Sequence, residues 1–114
     1  NKKTLANAKI LIIGMAYKSN LPDYRESPSL EIFKLLYKDC KTIEYHDNYV
    51  KKIKLDKDTF KSTNLTKLGL YDLIIIATDH KYINYTKVVK DSQLILDTRN
   101  ATKGIKNKGN IVLL

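Results

Sequence analysis

Tryptophan is absent from this chain of 114 residues, and cysteine, methionine, proline and glycine number one, one, two and four. The lone Cys40 excludes a disulfide within the chain and fits a reducing compartment; its place near a helix end reads as structural. So few glycines and prolines exclude a collagen-like or low-complexity segment, and no internal repeat or linker is visible. Long apolar runs are missing too. Lys2 and Lys3 ahead of "AKILIIGMA" imitate a leader, but Lys9 interrupts the apolar part. Nothing approaches the ~20 apolar residues that span a bilayer. The expectation is a soluble, cytoplasmic protein with no membrane partner, folded as one domain over residues 1–114. The start at Asn1 rather than Met adds the expectation of a fragment or processed product.

Acidic side chains are in deficit, 12 against 21 basic ones, giving a net charge of +9. Such a surplus points to an anionic partner, nucleic acid or a phosphorylated small molecule among them. Lysines run from Lys2 to Lys108 without a dense block, however. Nucleic-acid binders cluster their cations and interleave stacking aromatics. The spread favours solvated surface charge and no nucleic acid, with a small basic nucleic-acid-binding α/β module as the alternative.

What the chain does have is a series of short apolar runs. "AKILIIG" (Ala8–Gly14) reads as a central strand buried on both faces, and "TIEYH" (Thr42–His46) as a more polar strand nearer an edge. "DLIIIAT" (Asp72–Thr78), "QLILDT" (Gln93–Thr98) and "NIVLL" (Asn110–Leu114) complete the set, with a weak strand near Thr59–Ser62. Ser27-Pro28 marks a helix start, followed by Leu30, Phe33, Leu36 and Tyr37 at helical spacing. Further helices are expected over Asn48–Lys54, Leu65–Leu70 and Tyr82–Lys90. Alternating strands and helices predict an α/β fold: a Rossmann-like three-layer domain with a mostly parallel five- or six-stranded sheet. Ligands of such folds sit beyond the carboxyl ends of the strands. Tyr17 and Lys18, His46 and Asp47, Thr78 to His80, and Asp97 to Asn100 all fall there.

The chemistry open to these residues is restricted. Gly14 stands alone after the first strand, so the G-x-G-x-x-G fingerprint is missing, and so is the Walker pattern. A phosphate would have to be met by side chains. Lys18 offers a mobile point charge and Arg99 a planar fork, past two strand ends expected to be neighbours. Arginine occurs only at Arg25 and Arg99, which makes a selected role for Arg99 more telling than one for any lysine. In "RESPS", Ser27 caps and Glu26 lies near the positive helix end, while Arg25 reads as a loop-organising or interface residue rather than a ligand contact. Asp97 reads as organising its own loop. Asp79-His80 lacks a nucleophile placed by motif, and His46 with His80 lacks the close-set pair that a metal site needs. A phospho-receiver would want an acidic pair where Met15-Ala16 stands.

"ILIIGMAYKSNLPDYRESPSLEIFKLL" resembles the strand, G-x-[AS]-[FY]-K, D-x-R-E-S-P and helix of the UDP-glucose/GDP-mannose dehydrogenase family. "EYHDNYV" is similar to that family's YDPYV-type segment, with Asn48 in place of proline, and "YDLIIIATDHKYI" and "LILDTRN" resemble its following blocks. The resemblance is to the carboxyl-terminal, UDP-binding domain and covers nearly the whole chain. It implies a domain that anchors the diphosphate of a UDP-sugar for an NAD-dependent 6-dehydrogenase, an oxidoreductase of polysaccharide biosynthesis. The complete enzymes oxidise the sugar C6 alcohol to a carboxylate with two NAD molecules, through a thiohemiacetal on a cysteine to which Cys40 does not correspond. NAD would be bound by an amino-terminal domain outside this chain, so the domain alone is expected to be inactive. Lys18 and Arg99 take the positions of the family's basic substrate-facing residues, and Tyr17 would line the same pocket. Other domains of the enzyme and further subunits of a homo-oligomer are the implied partners. "ATDH" and "DTRN" look more like the UDP-N-acetylglucosamine and UDP-N-acetylmannosamine branch than like UDP-glucose dehydrogenase.

Overall fold

The computed structural model describes residues 5–16, 27–55, 57–105 and 109–113. In chain order these form a 3-10 turn (Leu5–Asn7), β1 (Lys9–Ile13), α1 (Pro28–Tyr37), β2 (Thr42–His46), β3 (Lys52–Leu55) and β4 (Asp58–Lys61). A second 3-10 turn (Leu68–Leu70), β5 (Leu73–Ile76), α2 (Tyr85–Asp91), β6 (Ile95–Asp97) and β7 (Ile111–Leu113) follow. Successive side chains of a strand point to opposite faces. Ile10 and Ile12 of β1 therefore enter one core, and Leu11 and Ile13 enter another. With no face left for water, the strand carries no polar alternation.

The sheet has five strands in the order β2-β1-β5-β6-β7, and every neighbouring pair is parallel. The polar β2 is an edge strand, as its composition implied. Parallel neighbours need crossovers, and α1 and α2 supply two of them. Ser27 Oγ accepts the Leu30 N–H at 3.0 Å, and Pro28 occupies the first helical position of α1. Leu30 and Phe33 are buried against the β1 face that carries Ile10 and Ile12. On the opposite face lie Val88 and Val89 of α2 with Leu68 of the second 3-10 turn. The helix expected from Tyr82 begins only at Tyr85, because the Asn84 side chain accepts the Lys87 N–H and caps it there.

The expected helix over Asn48–Lys54 is not formed. Lys52, Ile53, Lys54 and Leu55 alternate exposed and buried, a period of two, and pair antiparallel with β4. Ile53 faces Phe60 across this hairpin. The Phe60 ring meets Phe33 edge-on at 4.9 Å and Tyr37 at 5.2 Å. Packing on α1 thus decided between two local structures for a stretch too short to declare its period. Among the described residues, no helix is long and apolar enough to cross a membrane.

Phe33 touches both the hairpin and Tyr45 of β2, the latter ring at 6.3 Å. Phe33→Ala is expected to cost about 3–5 kcal/mol in urea unfolding. A loss under about 1 kcal/mol would mean that this aromatic seam is not what holds the hairpin down.

Candidate functional site

In chain order the sheet strands run second, first, third, fourth, fifth, so the progression reverses between β1 and β5. Such a reversal opens a crevice beyond the carboxyl ends of those two strands. The first residue past β2, Asp47, is fully buried beside it. Its Oδ2 accepts the Met15 N–H at 2.7 Å, the Ala16 N–H at 2.9 Å and His80 Nε2–H at 2.7 Å. Its Oδ1 accepts the Tyr49 N–H at 2.8 Å. Burial by itself would raise the carboxyl pKa, but the bonds from His80, Met15, Ala16 and Tyr49 together hold it below the usual carboxylate range. One carboxylate therefore ties the turn after β1 to the segment after β5.

Thr78 closes the same turn from the β5 side, where its Oγ1 donates to the Ala16 carbonyl at 3.0 Å. Gly14 has φ +97, and a Cβ there would stand 2.5 Å from Thr78 Cβ and 2.7 Å from its backbone nitrogen. This glycine serves strand-to-strand packing. In a dinucleotide fold the same place is kept open for a pyrophosphate, with backbone N–H groups pointing at it. Here Thr78 fills the space and Asp47 takes the N–H groups of Met15 and Ala16, so these residues do not fit a dinucleotide.

His46 and His80 serve structure as well. His46 Nδ1 lies 2.6 Å from the Thr63 carbonyl, an acceptor only, so the proton is on Nδ1. Its Nε2 accepts from Tyr82 Oη at 3.0 Å, and that oxygen in turn accepts the Asn48 N–H at 2.8 Å. Burial, ahead of every other cause, lowers the His46 pKa and favours this neutral ring. Among the described residues, no group of three or more His, Cys, Asp or Glu side chains could hold a metal ion.

On the other side of the crevice, Asp97 at the end of β6 is fully buried. It accepts the N–H groups of Arg99, Ala101 and Thr102 at 3.0, 3.1 and 2.9 Å, and the Thr102 hydroxyl at 2.6 Å. That network folds the loop on which Arg99 stands. Arg99 is exposed, and its Nε donates to the Ala77 carbonyl just past β5 at 3.1 Å. The strand ends bearing Lys18 and Arg99 are not neighbours as expected: β5 lies between β1 and β6. Two strand spacings are about 10 Å. The Arg99 side chain spans part of that gap by leaning over the end of β5. Among the described residues it has no carboxylate within ion-pair distance. Tyr17, Lys18, Arg25 and Glu26 lie outside the described residues.

Sequence reasoning placed Asp47 on the rim but missed its role. The signal was an acidic residue directly after an edge strand, next to a chain turn with no anion-binding glycines.

A family model described as the UDP binding domain of the UDP-glucose/GDP-mannose dehydrogenase family matches residues 11–104. The UDP-N-acetyl-D-mannosamine dehydrogenase of Pyrococcus horikoshii is 32% identical over 103 residues, covering 86% of this chain and 23% of that protein. The protein of the same name from Methanococcus maripaludis strain C7 is 27% identical over 110 residues, covering 88% and 24%. The chain thus spans about a quarter of the length of the curated relatives it matches. A solved UDP-D-ManNAc dehydrogenase from Pyrococcus horikoshii superposes with a TM-score of 0.73 at 25% identity, over 96% of this chain and 25% of that one.

Two outcomes test the buried frame. Gly14→Ala is expected to lower stability by more than about 1 kcal/mol, read from the urea midpoint, since the clash and the positive φ act together. For Asp47 the folded pKa is depressed, so its contribution is full above the unfolded value of about 3.9 and fades as pH falls through the folded one. Asp97 titrates in the same sense. Acid unfolding should therefore begin below about pH 4, and Asp47→Ala should flatten that pH dependence while lowering neutral-pH stability by about 3 kcal/mol. An unchanged acid limb would refute the role given to Asp47.

Proposed function

Since this chain belongs to the UDP-glucose/GDP-mannose dehydrogenase family as its UDP-binding domain, we propose that it anchors the diphosphate of a UDP-sugar, as the carboxyl-terminal domain of a larger NAD-dependent 6-dehydrogenase. The observation that carries the reading is Arg99, held on the Asp97 loop and bonded to Ala77 so that its guanidinium lies over β5 beside the crevice. An arginine fork takes phosphate oxygens in pairs, and fixing Nε beforehand reduces the freedom lost on binding. Lys18 is the second cation of this reading and Tyr17 a wall of the pocket. Arg25 and Glu26 organise the loop or meet a neighbouring domain.

Gripping the nucleotide end contributes to turnover by positioning. Binding energy gained at a remote diphosphate holds the sugar where the reaction occurs. NAD and the oxidation itself belong to other domains, so this chain alone is inactive. The sugar is a UDP-N-acetylhexosamine, supported by the mannosamine dehydrogenases among the relatives and by "ATDH" and "DTRN". In this reading the working enzyme is a cytoplasmic homo-oligomer whose product enters polysaccharide synthesis.

In the complete enzyme, Arg99→Ala and Lys18→Ala are each expected to weaken UDP-sugar binding by about 1.5–3 kcal/mol and to leave NAD binding unchanged, as read by calorimetry with each ligand. Equal losses for both ligands, or none for either, would overturn the assignment.

A further inference from the structure

The hairpin concentrates charge that looks scattered in the sequence. Lys51 precedes β3 and Lys61 ends β4, and both line an open cleft of about 580 Å³ between the end of β2, the hairpin and the turn before α2. Lys52 faces Lys61 directly across the two strands. Like charges in that position oppose strand pairing. Among the described residues, no carboxylate stands within ion-pair distance of these three lysines. Of the three, Lys51 and Lys61 line the cleft, and an anion held there would be attracted by both and would offset the repulsion felt by Lys61.

Two side-chain amides that line the cleft, Asn64 and Asn84, are left with donors. Asn64 Oδ1 is spent on the N–H and hydroxyl of Thr66, at 3.1 and 2.5 Å. Asn84 Oδ1 is spent on the Lys87 N–H at 3.2 Å. Each amide therefore has its NH2 group to offer. The Thr63 carbonyl is taken by His46, and the Asp47 carboxylate by its four donors. Leu65 and the partly exposed Tyr82 ring supply an apolar wall. The volume suits a small molecule.

We infer that this cleft is a second ligand site, for a small molecule that carries a phosphate monoester on a flat ring. Lys51 and Lys61 would meet the phosphate as point charges, the Asn64 and Asn84 amides would donate to its oxygens, and the ring would lie against Tyr82 and Leu65. Arg99 does not line this cleft, and the inference does not depend on the UDP reading.

The test is calorimetric titration of the intact protein with phenyl phosphate and with inorganic phosphate. Phenyl phosphate should saturate and bind more tightly than inorganic phosphate. Lys51→Ala/Lys61→Ala should weaken it about tenfold or more, while Arg99→Ala leaves it unchanged. A double variant at two exposed lysines elsewhere, Lys90→Ala/Lys103→Ala, removes the same net charge and should have little effect. Circular dichroism confirms that each variant is folded. Absence of saturable binding overturns the inference. So does equal affinity for the two probes, equal loss in both double lysine variants, or a loss that follows Arg99→Ala. UDP-sugar binding is tested separately, by the Arg99 and Lys18 variants in the complete enzyme.

Discussion

The Asp47 carboxylate is the interaction on which the rim of this sheet depends. A buried, ionised carboxyl group is tolerated only when its lone pairs are occupied. Here four donors from three stretches of chain occupy them: Met15 and Ala16 after β1, Tyr49 after β2, and His80 after β5. Consecutive backbone N–H groups in a turn form a concavity that attracts anions. This molecule fills that concavity with an anion of its own. The turn after β1 is thereby made rigid and also withdrawn from phosphate chemistry. Any phosphate arriving at the crevice must be met by side chains, and Arg99 is seated on a second buried carboxylate, Asp97, for which the same logic holds.

Much of this architecture could be read from residue order. The five parallel strands declare themselves as short β-branched runs, and Ser27-Pro28 fixes the start of α1 because cap and proline act locally. Of the hairpin, the weak strand near Thr59–Ser62 is legible and forms β4, whereas β3 is not, because Asn48–Lys54 offers too few apolar residues to separate a period of two from one of 3.6; contact with Phe33, distant in sequence, settles it. The separation of β1 from β6 was also hidden, since strand order is a property of the sheet and not of any segment. The site was legible as a set of polar residues after strand ends. Sequence alone could not distinguish those that turn inward and are consumed, such as Asp47, His80 and Asp97, from one that stays exposed, such as Arg99.

The net charge of +9 takes on a shape once the chain is folded. Arg99 reaches from the loop after β6 to the end of β5, and the hairpin residues Lys51 and Lys61 line a cleft with His46 and Asp47 at the end of β2. Among the described residues, the hairpin brings Lys51, Lys52 and Lys61 together, while Arg99 stands apart from them on the loop after β6. Fields of this kind raise the local concentration of anions before any contact forms. The hairpin is also the element that replaces a helical crossover between β2 and β5, so the departure from a regular alternation of strand and helix is what brings its lysines together.

Gly14 and Thr78 cannot drift independently. A side chain at position 14 meets not only the branched carbon of Thr78 but also that residue's backbone nitrogen and Cα, at 2.7 and 2.9 Å. Only glycine at position 78 would remove the first of these contacts, since every other residue keeps its Cβ, and the Ala16 carbonyl would then lose its hydroxyl partner. No compensating change at the second position restores the first. Evolution of this rim therefore has one entry that is effectively frozen, and variation in what it binds has to come from the loops that the frozen pair holds in register.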